Sequence, residues 1–167
     1  MMLGGDIGGT HTRLAIFDDD GRHRADQPDR TYPSREHGGL GIIVRRFLGE
    51  TGIRPAAACF GIAGPVKNGR VTATNLPWVV DAKELGRELG ARTWVINDLE
   101  ATAWGLGALA PGELEELAPG APHAAGNAAV IAAGTGLGEA GLYWDGQQHH
   151  PFATEGGHTN FGPESDL

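Results

Sequence analysis

The stretch GDIGGTHTR, residues 5–13, sets a Gly-Gly turn between two short apolar runs, with a carboxylate, Asp6, at its entry. Residues 1–5 and 14–17 both read as strands, so the turn belongs to a β-hairpin. That excludes a dinucleotide-binding fingerprint, whose glycines open a helix. Gly8 and Gly9 can adopt backbone angles closed to other residues, and without side chains they let amide N–H groups approach an anion. Thr10 adds a hydroxyl donor. Asp6 is a candidate ligand for Mg²⁺ through water, because magnesium keeps much of its hydration shell and takes one or two carboxylates. An ordinary flexible hairpin turn fits the same stretch, since a short glycine motif is weakly specific on its own.

The 167 residues at 40% hydrophobic content suffice for a sizeable core, either one full domain or one domain and part of another. No apolar run approaches the 18 or so residues of a membrane span, and the N-terminus lacks a basic segment followed by a long apolar one. The expectation is a soluble cytoplasmic protein. The single cysteine, Cys59, lies in the run AAACFGIAG and reads as a small core residue. Residues 1–60 carry eight basic and eight acidic side chains, whereas 61–167 carry five and thirteen, so the whole net charge of −8 falls in the second stretch. After Arg92 there is no Lys or Arg. A phosphate bound there must rely on backbone amides, hydroxyls and a metal, and a nucleic-acid partner is disfavoured.

DDDGRH at 18–23 signals a turn, and the segment up to Tyr32 reads as a third antiparallel strand. Leu40, Ile43, Val44, Phe47 and Leu48 recur at intervals of three and four, predicting an amphipathic helix that ends at Gly52. Residues 56–62 then form a short apolar run suited to a buried strand. Asn68-Gly69, flanked by Val66 and Val71, is the cue for a tight hairpin. Asp81 predicts an N-cap for a helix through Leu89. TWVIN at 93–97 predicts a strand, and Asp98 opens a helical segment reaching about Ala110. Three strands followed by helix, strand, helix, strand and helix fit an α/β layer.

Residues 111–127 turn to Pro, Gly, Ala and Glu, a composition that suits a hinge. The expected domains are therefore 1–110, an N-terminal α/β lobe, and 111–167, the beginning of a second lobe. In the latter, AAVIAAGTGLGEAGLYW reads as two strands around a second Gly-rich turn, and residues 147–152 as a third. FGPESDL resembles a helix start, with Gly162 before Pro163 and acidic residues in the first turn. A three-stranded meander without a covering helix leaves a sheet face exposed, so 111–167 are expected to belong to a longer lobe.

Four polar clusters thus stand at strand ends or turns: Asp6 to Thr10, Asn97 with Asp98, Gly134 to Gly138, and Glu155 to His158. Each has a plain alternative: a hairpin turn, a helix N-cap, a second turn, a surface loop. Taken together they supply what phosphoryl transfer to an alcohol requires, namely a phosphate cradle, a metal ligand, a carboxylate near the accepting hydroxyl and donors that fix the acceptor.

DIGGTHTR, ATNLPW at 73–78, VINDLEA at 95–101, AAGTGLG at 132–138 and EGGHTNF at 155–161 together resemble bacterial glucokinase, and in the same order. The resemblance covers essentially the whole chain. It implies an α/β, actin-like or hexokinase (ribonuclease H-like) fold with a mixed sheet, in which two lobes close over ATP and sugar. By this resemblance Asp6, Gly8, Gly9, Thr10 and Arg13 form the first phosphate loop, with Asp6 toward Mg²⁺, and Gly134, Thr135 and Gly136 form the second. Asp98 is the implied base for the glucose 6-hydroxyl as it attacks MgATP. Asn75, Asn97, Glu155 and His158 are the implied sugar ligands, a set offering both donors and acceptors. His11 departs from the family, which favours a small polar residue there.

The family extends well beyond residue 167, so the chain alone is expected to be a poor catalyst; a homodimer of the full-length protein is a further expectation. Mannose or an amino sugar could replace glucose, and ADP or polyphosphate could replace ATP. A sugar-responsive, non-catalytic regulator of the related repressor and kinase family is the competing function. Against it, such regulators carry a helix-turn-helix ahead of the first strand and a Cys-rich zinc site that Cys59 cannot build.

Overall fold

The computed structural model describes the chain except Ala25, Pro28, Pro122, His123, Thr135 and residues 160–167. The helix expected at Pro163 therefore lies outside the described residues. Contacts divide the chain into two compact units, Met1–Asp98 and Leu99–Leu167.

In the first unit β1 (Met2–Ile7), β2 (His11–Phe17) and β3 (Arg30–Pro33) form an antiparallel meander. β4 (Ala57–Ile62) and β7 (Arg92–Asn97) add to it in parallel, giving a mixed five-stranded sheet in the order β3-β2-β1-β4-β7. Between β4 and β7 the chain makes a two-stranded ribbon, β5 (Arg70–Thr72) and β6 (Val79–Asp81). Both strands of the opening hairpin are longer than the sequence suggests. Asp6 consequently lies within β1, and the turn itself is Gly8 to Thr10.

Helices α1 (Leu40–Thr51) and α2 (Ala82–Leu89) cover one face of the sheet. α1 buries Leu40, Ile43, Val44 and Phe47, the stripe its spacing predicts. They meet Leu3, Ile7, Leu14, Ile16, Phe60, Ile62 and Val95 from the strands. The helix stops at Gly52, whose φ of 69° is the left-handed conformation that glycine tolerates and whose amide closes on the Leu48 carbonyl at 2.9 Å. α2 starts where Asp81 accepts from the amides of Lys83 (2.8 Å) and Glu84 (3.2 Å). Two glycines inside β1 are explained by packing: a Cβ at Gly5 would lie 2.5 Å from the Phe60 ring, and one at Gly4 2.6 Å from Phe17. Cys59, expected in the core, is only half-buried, and it forms no disulfide.

In the second unit β8 (Ala128–Ala133), β9 (Leu137–Trp144) and β10 (His149–Ala153) form an antiparallel sheet in the order β10-β9-β8. α3 (Asp98–Leu106) ends four residues before the expected Ala110. Its Leu99 and Ala103 pack with Val130, Ala140 and Leu142, so α3 from Leu99 onward belongs to the second compact unit. Asp145 shapes the turn into β10 by accepting from the amides of Gln147 and Gln148 at 2.7 and 2.9 Å. Among the described residues no helix is long and apolar enough to cross a membrane.

Candidate active site

The carboxyl ends of three parallel strands define the site in the first unit. Ile7 of β1 lies beside Ile62 of β4, and Ile62 beside Asn97 of β7, so the segments leaving these strands emerge at one sheet edge. Such an edge is where open α/β sheets bind ligands.

The emerging loops interlock. Gly9 packs directly on Asn75, where a Cβ on the glycine would come within 2.7 Å of the Asn75 Cβ. Beside Asn75, Thr74 donates to the Ala63 carbonyl through its amide at 3.2 Å and its hydroxyl at 3.3 Å. The next carbonyl, that of Gly64, accepts from the Asn97 side chain at 3.3 Å. Gly64 has a φ of 131° and is hemmed in by the Thr72 carbonyl, 3.1 Å from where a Cβ would sit, so glycine is needed to present that carbonyl. The structure thus brings Asp6, Gly8, Gly9, Thr10, Arg13, Asn75, Asn97 and Asp98 to one edge. Asn97 is buried, Asp98 half-buried and Asn75 exposed.

The glycines of the first turn act differently from the sequence reading. Neither Gly8 nor Gly9 lies in the left-handed region; Gly9 is required by the close approach of Asn75. The turn is closed by the Gly8 amide donating to the His11 carbonyl at 2.9 Å. Among the described residues the Gly9 and Thr10 amides have no acceptor, which leaves both as donors for an anion.

Asp6 stands opposite Arg13 in the β1–β2 register. Although Asp6 as a residue is exposed, its carboxyl is raised above the ordinary value of 3.8. Withdrawal from water is the largest influence, Arg13 opposes it, and the negative charge of Asp98 reinforces it. Two mutually repelling carboxylates suit a divalent cation. Among the described residues no three His, Cys, Asp or Glu side chains converge as a cage. The oxygen donors of one or two carboxylates are a set that fits hydrated Mg²⁺.

Within the second unit, the Gly134 amide donates to the Gly136 carbonyl at 2.8 Å, making a tight turn with both glycines exposed. Thr135 lies outside the described residues. The EGGH segment packs against the strand that leaves this turn. A Cβ on Gly157 would stand 1.9 Å from the Leu137 carbonyl oxygen, and the Thr154 hydroxyl donates to the Glu139 carbonyl at 3.3 Å. Glu155 and His158 are thereby held near the second turn, paired at 3.5 Å and both exposed.

Two residues escaped the sequence reading. Thr12 and Ser34, each fully buried, join hydroxyls at 3.0 Å, and Ser34 Oγ donates to the Gly8 carbonyl at 2.8 Å. The available signal was strand alternation, which puts Thr12 inward with Leu14 and Ile16. A buried hydroxyl there requires a partner.

The curated relatives include the glucokinase of Nostoc punctiforme, 38% identical over all of this chain and 50% of the relative's length. The chain spans about half the length of the curated relatives it matches. Among solved structures, a glucokinase from an Antarctic psychrotroph matches 99% of this chain and 53% of its own, with a TM-score of 0.80 and 32% identity. A glucokinase of the ROK family from Streptomyces griseus, solved with glucose and AMPPNP, shares the fold at a TM-score of 0.62 and 24% identity, over 89% of this chain and 46% of its own. The architecture is that of the actin-like sugar kinases, an α/β fold with a mixed sheet. The family model for glucokinase matches residues 3–167, which leaves only the first two residues outside it, and the chain belongs to the glucokinase family.

Proposed function

We propose that the protein carrying this chain transfers the γ-phosphoryl group of MgATP to the 6-hydroxyl of glucose. The observation that carries this reading is the interlocked edge of the first unit. Loop amides without an acceptor among the described residues, a metal-suited carboxylate, two asparagines and a half-buried aspartate at a helix start meet there in a chain of the glucokinase family.

In this reading Asp98 accepts the proton of the 6-hydroxyl as its oxygen bonds the γ-phosphorus and the bridging P–O bond to ADP breaks. Asn75, Asn97, Glu155 and His158 hold the sugar hydroxyls, offering donors and acceptors together. The Gly9 and Thr10 amides and Arg13 receive phosphate oxygens, and the turn of Gly134, Thr135 and Gly136 serves as the second phosphate cradle. Mg²⁺, which Asp6 would hold through water, neutralises charge on the phosphates when bound. The second lobe begins with residues 111–167, and closure of two lobes would exclude water from the reacting groups. This chemistry is the first step of glycolysis in the cytoplasm, and a homodimer of the full-length protein belongs to the same proposal.

The test is a coupled glucose-6-phosphate assay on the chain extended to the length of its relatives, with Asp98→Ala beside the wild type. General-base help is worth about 10²–10⁴ in rate. The variant should lose turnover by that factor and retain glucose affinity. A wild-type protein that binds glucose without turning it over would instead support a regulator.

A further inference from the structure

We propose that Ser34, supported by Thr12, is a positioning residue that aims the Gly9 amide at the phosphate. This inference rests on the phosphate-loop reading above.

The direction of each bond follows from chemistry. A carbonyl only accepts, so at 2.8 Å the Ser34 hydroxyl must spend its single proton on Gly8. At 3.0 Å Thr12 must therefore donate to Ser34 Oγ, and the three groups form a one-way relay from Thr12 through Ser34 to the Gly8 carbonyl. Donation by Thr12 polarises the Ser34 hydroxyl and strengthens its hold on Gly8. The Ser34 amide donates in turn to the Thr10 carbonyl at 2.9 Å. One residue, from a segment more than twenty positions away, thus grips the carbonyls on both sides of Gly9.

The peptide between Gly8 and Gly9 is planar and trans, so its C=O and N–H point in opposite directions. Drawing the Gly8 carbonyl back toward Ser34 turns the Gly9 N–H outward. That amide has no acceptor among the described residues. With no side chain of its own, Gly9 can fix its amide direction only through its neighbours. Both hydroxyls are fully buried, so water cannot replace either bond.

The experiment uses the full-length protein and compares wild type, Ser34→Ala and Thr12→Val, with melting curves on each. KM is measured for MgATP and for glucose, and the Kd for a non-hydrolysable MgATP analogue by calorimetry. One neutral hydrogen bond corresponds to about a tenfold change in affinity. Ser34→Ala should raise the KM and Kd for nucleotide about tenfold and leave the KM for glucose within twofold. Thr12→Val keeps the shape and the Ser34–Gly8 bond, so it should move the nucleotide constants in the same direction by a smaller factor. If Ser34→Ala does not fold, Thr12→Val alone decides.

Unchanged nucleotide constants, or equal rises for nucleotide and sugar, would overturn the inference while leaving the kinase reading standing. A wild-type protein without nucleotide-dependent phosphorylation would overturn the reading beneath it.

Discussion

Substitution of Gly9 by alanine puts the interlocked edge to its most direct test. The added methyl would lie 2.7 Å from the Asn75 Cβ, whereas ordinary contact begins at 3.4 Å, so the two must separate by about 0.7 Å. Because the clash is with Cβ, no change of the Asn75 side-chain rotamer relieves it, and the backbone of one loop must move. Gly9 lies outside the left-handed region, so alanine adds no left-handed backbone strain of its own. The effect should therefore appear in geometry more than in stability. A misplacement of about 1 Å in a positioned group can cost about 10² in rate. On that scale Gly9→Ala should lower kcat/KM for glucose by about 10–100-fold, with a melting temperature within a few degrees of wild type. The coupled sugar-phosphate assay over a glucose series reads the first and a thermal melt the second. A folded Gly9→Ala protein with wild-type kcat/KM would refute the claim that the first turn and the Asn75 loop position one another.

Two further predictions concern stability. Phe47 is fully buried between α1 and the sheet, so Phe47→Ala should cost about 3–5 kcal/mol in denaturant unfolding, and a loss below about 1 kcal/mol would place the ring outside the core. Asp145 accepts from the amides of Gln148 and Gln147 and from His150, which hold its pKa at about 2 against an ordinary 3.8. A carboxyl depressed on folding stabilises above its unfolded pKa and loses that stabilisation as pH falls through the folded value. The melting temperature should therefore decline between about pH 4 and pH 2, with a shallower decline in Asp145→Asn; identical profiles would contradict the assignment.

Elements governed by local rules were legible in the sequence. The stripe from Leu40 to Phe47, the cap at Asp81 and the stop at Gly52 each express a nearest-neighbour preference, and each stands where the spacing puts it. The Asn68-Gly69 turn has φ of 53° and 74° at its centre, as its dipeptide requires. Features created by distant packing were not legible. Gly9 reads as a flexible turn residue, yet what demands glycine is the arrival of Asn75 from a segment far along the chain. Ser34 reads as an ordinary loop serine, and its partners belong to a different strand and turn. α3 reads as helical through Ala110, but its association with β8 and β9 depends on Leu99 and Ala103, whose partners lie beyond the intervening loop. The candidate residues could be named from motif order, while the contacts that hold them in place became visible only once the strands were paired.

The parallel pairing of β1 with β4 and β4 with β7 has a consequence for synthesis. Of these strands β1 leaves the ribosome before the others and can form its hairpin with β2 early, but its other edge waits for β4, and β4 waits in turn for β7. During that interval a nascent chain carries Leu3 and Ile7 on a strand with an unpaired side, the kind of edge that recruits other strands. Pairings between remote segments are also the slow ones to form. The bond from Asn97 to Gly64 can close only when β7 has docked, so the candidate site is completed late in the folding of this unit. A nascent chain halted before residue 97 would carry its complete Gly8–Thr10 turn and still lack the strand end that the proposed reaction needs.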